Sequence, residues 1–152
     1  MSFIYLASPY ADPDVCVSQD RYEAALRHTA WALEGWQTTY SPITHGHVLS
    51  RNMESRYPDD YQFWLHHDIN ILERAMELHV LMLDGWQHSK GCIMEVEYAL
   101  SELNIPVKGV MYQCTPSGLV FVNPGDPQPV SVPDADPPII KPAVEKHLYL
   151  VS

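Results

Sequence analysis

A run of apolar residues halted by a turn does most to restrict how this chain can fold. Leu78–Leu83 reads LHVLML and stops at Asp84-Gly85. Such a run suits one buried parallel strand. After the turn come Ser89-Lys90-Gly91 and then Ile93, Val96, Leu100 and Leu103, the one-sided spacing of an amphipathic helix. A strand, a loop of small residues and a helix in that order put the loop at the carboxyl end of a sheet. Open α/β folds bind ligands there. Glu95 falls in the first turn or so of the helix, which leaves two roles open to it. It either complements the helix dipole or faces the crevice as a catalytic carboxylate.

Strand and helix alternate on both sides of this unit. Phe3–Ala7 reads as the first strand, and Ser8-Pro9-Tyr10 turns the chain because Pro9 disfavours a helical Ser8. A helix is expected from about Ser18 to Trp36, with Tyr22, Leu26, Ala30 and Leu33 on its core face and Gly35 near its end. Thr38–Ile43, broken by Pro42, gives a short second strand, and the polar Thr44–Pro58 a loop near the same edge. Asp59-Asp60 opens another helix, whose stripe is Leu65, Ile69, Leu72 and Met76. Pro106–Tyr112 supplies a fourth strand. With right-handed crossovers this alternation predicts a Rossmann-like or flavodoxin-like three-layer α/β domain over residues 1–112, a parallel sheet with helices on both faces.

The composition changes at residue 113. Thr115–Pro142 holds eight of the chain's 13 prolines, too many for a helix or a central strand. Residues 113–152 therefore read as a proline-rich C-terminal extension packed on the same domain or on a partner subunit. Leu119–Val122 and Val130–Val132 are candidates for an irregular hairpin within it.

Several function classes fall away on composition and spacing. Nine basic against 19 acidic residues give a formal charge of -10, which argues against a nucleic-acid surface. A small anionic substrate needs only one local donor site and stays open. No stretch approaches the roughly 18 consecutive apolar residues of a membrane span. The start, MSFIYLASPY, lacks a basic n-region, and three cysteines without CxxC spacing suggest reduced thiols, so a cytoplasmic chain is expected. His45 and His47, with His66, His67 and Asp68 downstream, make no complete tetrahedral set, so no metal is expected. Gly85 and Gly91 form no GxGxxG fingerprint, so no dinucleotide cofactor is expected either. Cys92 reads as a small packing residue, and Arg21 and Arg27 as solvated helix charges.

Two motifs in order resemble a known family. Tyr5-Leu6-Ala7-Ser8-Pro9-Tyr10 resembles the first-strand signature of the nucleoside 2-deoxyribosyltransferase superfamily, and Ser89-x-Gly91-x-x-x-Glu95 resembles its nucleophile motif. Ser41-Pro42-Ile43-Thr44-His45-Gly46-His47 and Asp84-Gly85-Trp86 look more narrowly like its DUF1937 branch. The resemblance spans about residues 3–112 and implies roles for particular side chains. Glu95 would be the nucleophile, Tyr5 the hydroxyl that orients it, and Asp68 the aspartate that meets the departing base. Trp64, one helical turn before Asp68, would stack on that base. Ser8, Pro9, Tyr10, Asp84, Gly85, Ser89 and Gly91 would line the substrate site.

The chemistry needs such residues. Breaking an N-glycosidic bond builds positive charge on the sugar, which a carboxylate can stabilise or bond to, while the base needs a proton. Ser89 stands where family transferases of free deoxynucleosides carry Asp. A serine hydroxyl can donate to a 5′-phosphate, with the Gly91 N–H beside it, and Ser8 and Arg21 are further candidates there. The implied function is hydrolysis of a (2′-deoxy)nucleoside 5′-monophosphate without a cofactor. Base exchange between deoxynucleosides and a non-catalytic nucleotide-binding module are the alternatives, and a homodimer or larger homo-oligomer is the implied assembly. Each side chain also has a plainer reading: Tyr5 and Trp64 as core aromatics, Asp68 as a solvated charge, Ser89 as an N-cap.

Overall fold

The computed structural model describes residues 2–54 and 60–110, and beyond them the backbone of three short strands. Ile4–Ala7 is β1, Val15–Glu34 α1 and Thr39–Tyr40 β2, followed by α2 at Pro42–Ser50 and α3 at Tyr61–Leu72. Glu77–Leu81 is β3, Lys90–Tyr98 α4 and Val107–Val110 β4. The short strands are β5 at Gln113–Thr115, β6 at Gly118–Val120 and β7 at Gln128–Pro129. The sheet runs β2-β1-β3-β4-β7, parallel from β2 to β4, with β7 antiparallel on the edge. The chain is thus an α/β protein of Rossmann-like type. From β1 it steps one way to β2, and from β3 the other way to β4. That reversal leaves a crevice at the carboxyl ends of β1 and β3.

Residue alternation assigns each face. Tyr5 and Ala7 of β1 and Leu78 and Val80 of β3 pack with Leu72 of α3 and with Cys92 and Val96 of α4. Leu6, Leu81 and Val110 pack on the other face with Ala24 and Ala25 of α1. Burial on both faces is why these strands read as unbroken apolar runs. His79, the polar residue inside the central run, is buried and lies 2.9 Å from the Glu77 carboxylate.

Some expectations need correction. Helix α1 starts at Val15, earlier than Ser18, because the Asp14 carboxylate accepts from the Cys16 N–H and caps it. It turns Ala24, Ala25, His28 and Ala32 inward, while Leu26 and Leu33 are 45% and 53% exposed. Small side chains let this helix lie close to the sheet, so the stripe of larger residues points away from it. The expected loop from Thr44 contains α2 instead. Ser41 Oγ accepts from the Thr44 N–H, and Pro42 occupies the first turn, where a missing N–H costs nothing. The proline that shortens β2 therefore starts a helix.

Helix α4 runs on into a π turn at Ala99–Leu103. Its extra residue per turn brings Ala99 inside and leaves Leu100, an expected core position, 41% exposed. Met76 lies beyond α3 and is exposed. In the extension β6 pairs with β5, not with a later strand. Tyr112 and Val130–Val132 lie outside the described residues, and Pro129 sits on an edge strand, where its missing donor is tolerated.

Candidate functional site

Glu95 lies in the second turn of α4, which begins at Lys90 after the Ser89 N-cap. The free N–H groups of this helix precede it, which removes the helix-dipole role. Its residue is 7% exposed, and its Oε1 accepts a 2.7 Å hydrogen bond from the hydroxyl of Tyr5, itself wholly buried. Those two residues come from opposite ends of the sequence motifs and meet because α4 packs over β1. Burial, and then the nearby charge of Asp68, push the Glu95 carboxyl up to about 8, against the pull of the Tyr5 hydrogen bond. Burial likewise lifts Asp68 of α3 to about 7. Asp68 is thus not a freely solvated charge. Desolvation and the two carboxylates also hold Tyr5 well above the usual phenol range. Two carboxyl groups that both resist ionisation, one already held by a phenol, form the centre of the site.

Tyr40, given no role by the sequence, belongs to the same cluster. Register pairs it with Tyr5 across β1 and β2, and the two ring centroids are 5.8 Å apart. Trp64 is held by its own helix and by α2. Its ring meets Phe63 edge-on at 5.2 Å, and a Cβ added at Gly46 would come within 3.4 Å of it. His45 stacks on His67 at 5.6 Å. His47 lies buried under the Tyr22 ring at 3.7 Å, with its Nδ1 2.7 Å from the Tyr10 hydroxyl. It anchors the loop that carries Ser8 and Pro9. Among the described residues no group of three or more His, Cys, Asp or Glu side chains could hold a metal ion. Desolvation raises the buried Cys92 thiol, in keeping with a packing role.

A second correction concerns Arg21, which is not a solvated charge. Its guanidinium donates to the Ala11 carbonyl at 2.9 Å, to the Tyr10 carbonyl at 3.4 Å and to the Asp84 carbonyl at 3.1 Å, and pairs with Asp12 at 3.4 Å. One side chain thereby ties the loop after β1 to the loop after β3. Gly85 has φ of 83°, and a Cβ there would approach the guanidinium to 3.1 Å, so glycine serves both the turn and the tie. Asp12, Arg21, Gly85, His88 and Ser89 line a cleft of about 240 Å³ with Ala11. Ser89 Oγ accepts from the Cys92 N–H at 3.5 Å as the cap of α4, and the Ser8 hydroxyl is buried with no partner among the described residues. Replacing Arg21 with Met keeps the stem and removes the tie. We expect a loss of about 1–3 kcal/mol and faster amide exchange in both loops; loosening of only one loop would show that Arg21 does not couple them.

Among the described residues no helix is long and apolar enough to cross a membrane. No curated protein matches the chain. Residues 2–110 match a family described as "Domain of unknown function (DUF1937)", a span that runs from β1 through β4 and includes every site residue described above. By that match over more than half its length, the chain belongs to the DUF1937 family.

Proposed function

We propose that this protein hydrolyses the N-glycosidic bond of a nucleoside 5′-monophosphate and is a relative of the nucleoside 2-deoxyribosyltransferases. The observation that carries the reading is the buried Tyr5–Glu95 hydrogen bond between β1 and α4, with Asp68 close enough to influence both. As the C1′–N bond breaks, its electron pair leaves with the base, which takes the proton of Asp68. Glu95 bonds to C1′ or stabilises its positive charge. Water then supplies hydroxyl to C1′, breaking any bond to Glu95 and leaving it a carboxylate, and returns a proton to Asp68. Between about pH 7 and about pH 8 the pair carries roughly one proton, which at rest sits mainly on Glu95, the group with the higher value, and must be on Asp68 for the base to leave. The developing charge on the sugar favours ionised Glu95, and the base nitrogen draws the proton from Asp68. Ser89, Ser8 and the Arg21 cleft support a phosphate subsite, although Asp12 opposes an anion at its rim.

A panel of ribo- and deoxyribonucleoside 5′-monophosphates, incubated with and without a second free base, tests the reading. Release of free base and sugar phosphate is expected without the added base. Exchange only when a base is added would make the protein a transferase, and binding with no turnover of any nucleotide would overturn the reaction.

A further inference from the structure

We infer that Tyr40 is the positioning partner of Asp68, as Tyr5 is of Glu95. The two tyrosines occupy matched positions on adjacent parallel strands, so their rings leave the sheet on the same face, toward α3 and α4. The Tyr5 hydroxyl is spent on Glu95. The Tyr40 hydroxyl is buried and has no partner among the described residues. A buried donor left unbonded is costly, and a phenylalanine would pack there without that cost. His45 fixes the Tyr40 ring from α2, with centroids 5.7 Å apart.

The electrostatics separate the two phenols. After desolvation, Tyr5 responds first to Glu95 and then to Asp68, whereas Tyr40 responds first to Asp68 and then to Glu95. Charge interactions weaken with distance, so each phenol addresses a different carboxylate. Around Asp68 stand Glu95 from α4, Tyr5 from β1 and Tyr40 from β2, with His67 beside it on α3 and His45 of α2 stacked on His67. When Asp68 gives up its proton it becomes a buried anion, and a waiting hydroxyl donor stabilises that state. Catalytic hydrogen bonds commonly tighten only once substrate is bound. The consequence for turnover rests on the hydrolase reading above; the pairing itself does not.

Carboxyl-carbon NMR titrations of the full chain test it, comparing wild type with Tyr40→Phe and Tyr5→Phe. Tyr40→Phe is expected to raise the Asp68 midpoint by about one pH unit, a tenfold change in its ionisation constant, and Glu95 by less. Tyr5→Phe should do the reverse. An unmoved Asp68 midpoint in Tyr40→Phe, or a larger shift at Glu95, overturns the pairing. Thermal melts give a second readout. Tyr40→Phe should match or exceed wild type at pH 5 and lose ground above about pH 7, a dependence that Asp68→Asn abolishes. Persistence of that dependence in the Asp68→Asn background also overturns the pairing. If no nucleotide is cleaved while the titration pattern holds, the reaction falls and the Tyr40–Asp68 pairing stands.

Discussion

Glu95→Gln will abolish most base release while making the protein harder to melt at alkaline pH. Glutamine imitates the protonated acid: it keeps the size of the side chain and an oxygen to accept from Tyr5 at the 2.7 Å position. It lacks the negative charge that the sugar needs in the transition state of the proposed reaction, so kcat should fall by roughly a thousandfold or more, with nucleotide binding largely preserved. The stability effect has the opposite sign. Burial raises the folded-state value of Glu95 from 4.5 to about 8, so the folded chain binds this proton more tightly than the unfolded chain does. Its contribution is complete below the unfolded value and is lost as pH rises through about 8. The variant never pays to ionise that buried group. We expect little difference between the two proteins near pH 4.5 and a gain of about 2–4 kcal/mol for Glu95→Gln at pH 9. Equal kcat would remove Glu95 from the chemistry. An unchanged pH dependence of melting would show that the carboxyl is not desolvated in solution.

In the proposed reaction the same pair of carboxyl groups sets the pH profile of the wild type. Activity should be bell-shaped, falling when both groups are protonated and again when both are ionised, with the maximum between about 7 and about 8. The site is thus built from groups whose environments oppose their charged forms, which is a stability cost kept at one place in an otherwise apolar core.

How much of this was legible in the sequence depends on what each residue packs against. The central run around Leu78 and Val80 was readable because both faces of β3 are covered, leaving an apolar signal that needs no partner to interpret. The pairing of Tyr5 with Glu95 was implied by the resemblance of two motifs to a known family, whereas the order β2-β1-β3-β4 came only with the structure. Helix α2 was not readable, because Pro42 ends a strand and opens a helix with equal ease, and only the Ser41 cap decides between them. The inner face of α1 was misjudged because alanines, not leucines, allow the closest approach to the sheet. The π turn after Tyr98 shifts the outward positions by one residue, which no fixed period can anticipate. The tie made by Arg21 and any role for Tyr40 were missed for a common reason. Their partners lie on other loops and strands, so nothing in their own neighbourhood marks them.

Ser89→Asp separates the phosphate subsite from the rest of the reaction. Ser89 caps α4 through its hydroxyl, and aspartate caps a helix at least as well, with its charge further favoured by the dipole. The fold around Glu95 should therefore survive the change. What changes is a negative charge on the wall of the cleft shared with Arg21, where a 5′-phosphate is placed by the proposed function. Two like charges about 4 Å apart at the reduced dielectric of a protein surface repel by about 4 kcal/mol, roughly a thousandfold in kcat/KM. Part of that repulsion is offset by Arg21, which can turn toward the new carboxylate at the expense of Asp12. Nucleoside monophosphates should lose most of their turnover, chiefly through KM, while unphosphorylated nucleosides change little. Their relative rates, measured side by side on one preparation, are insensitive to any loss of active protein. A parallel loss for both substrate classes would place the phosphate away from Ser89 and leave that residue with its capping role alone.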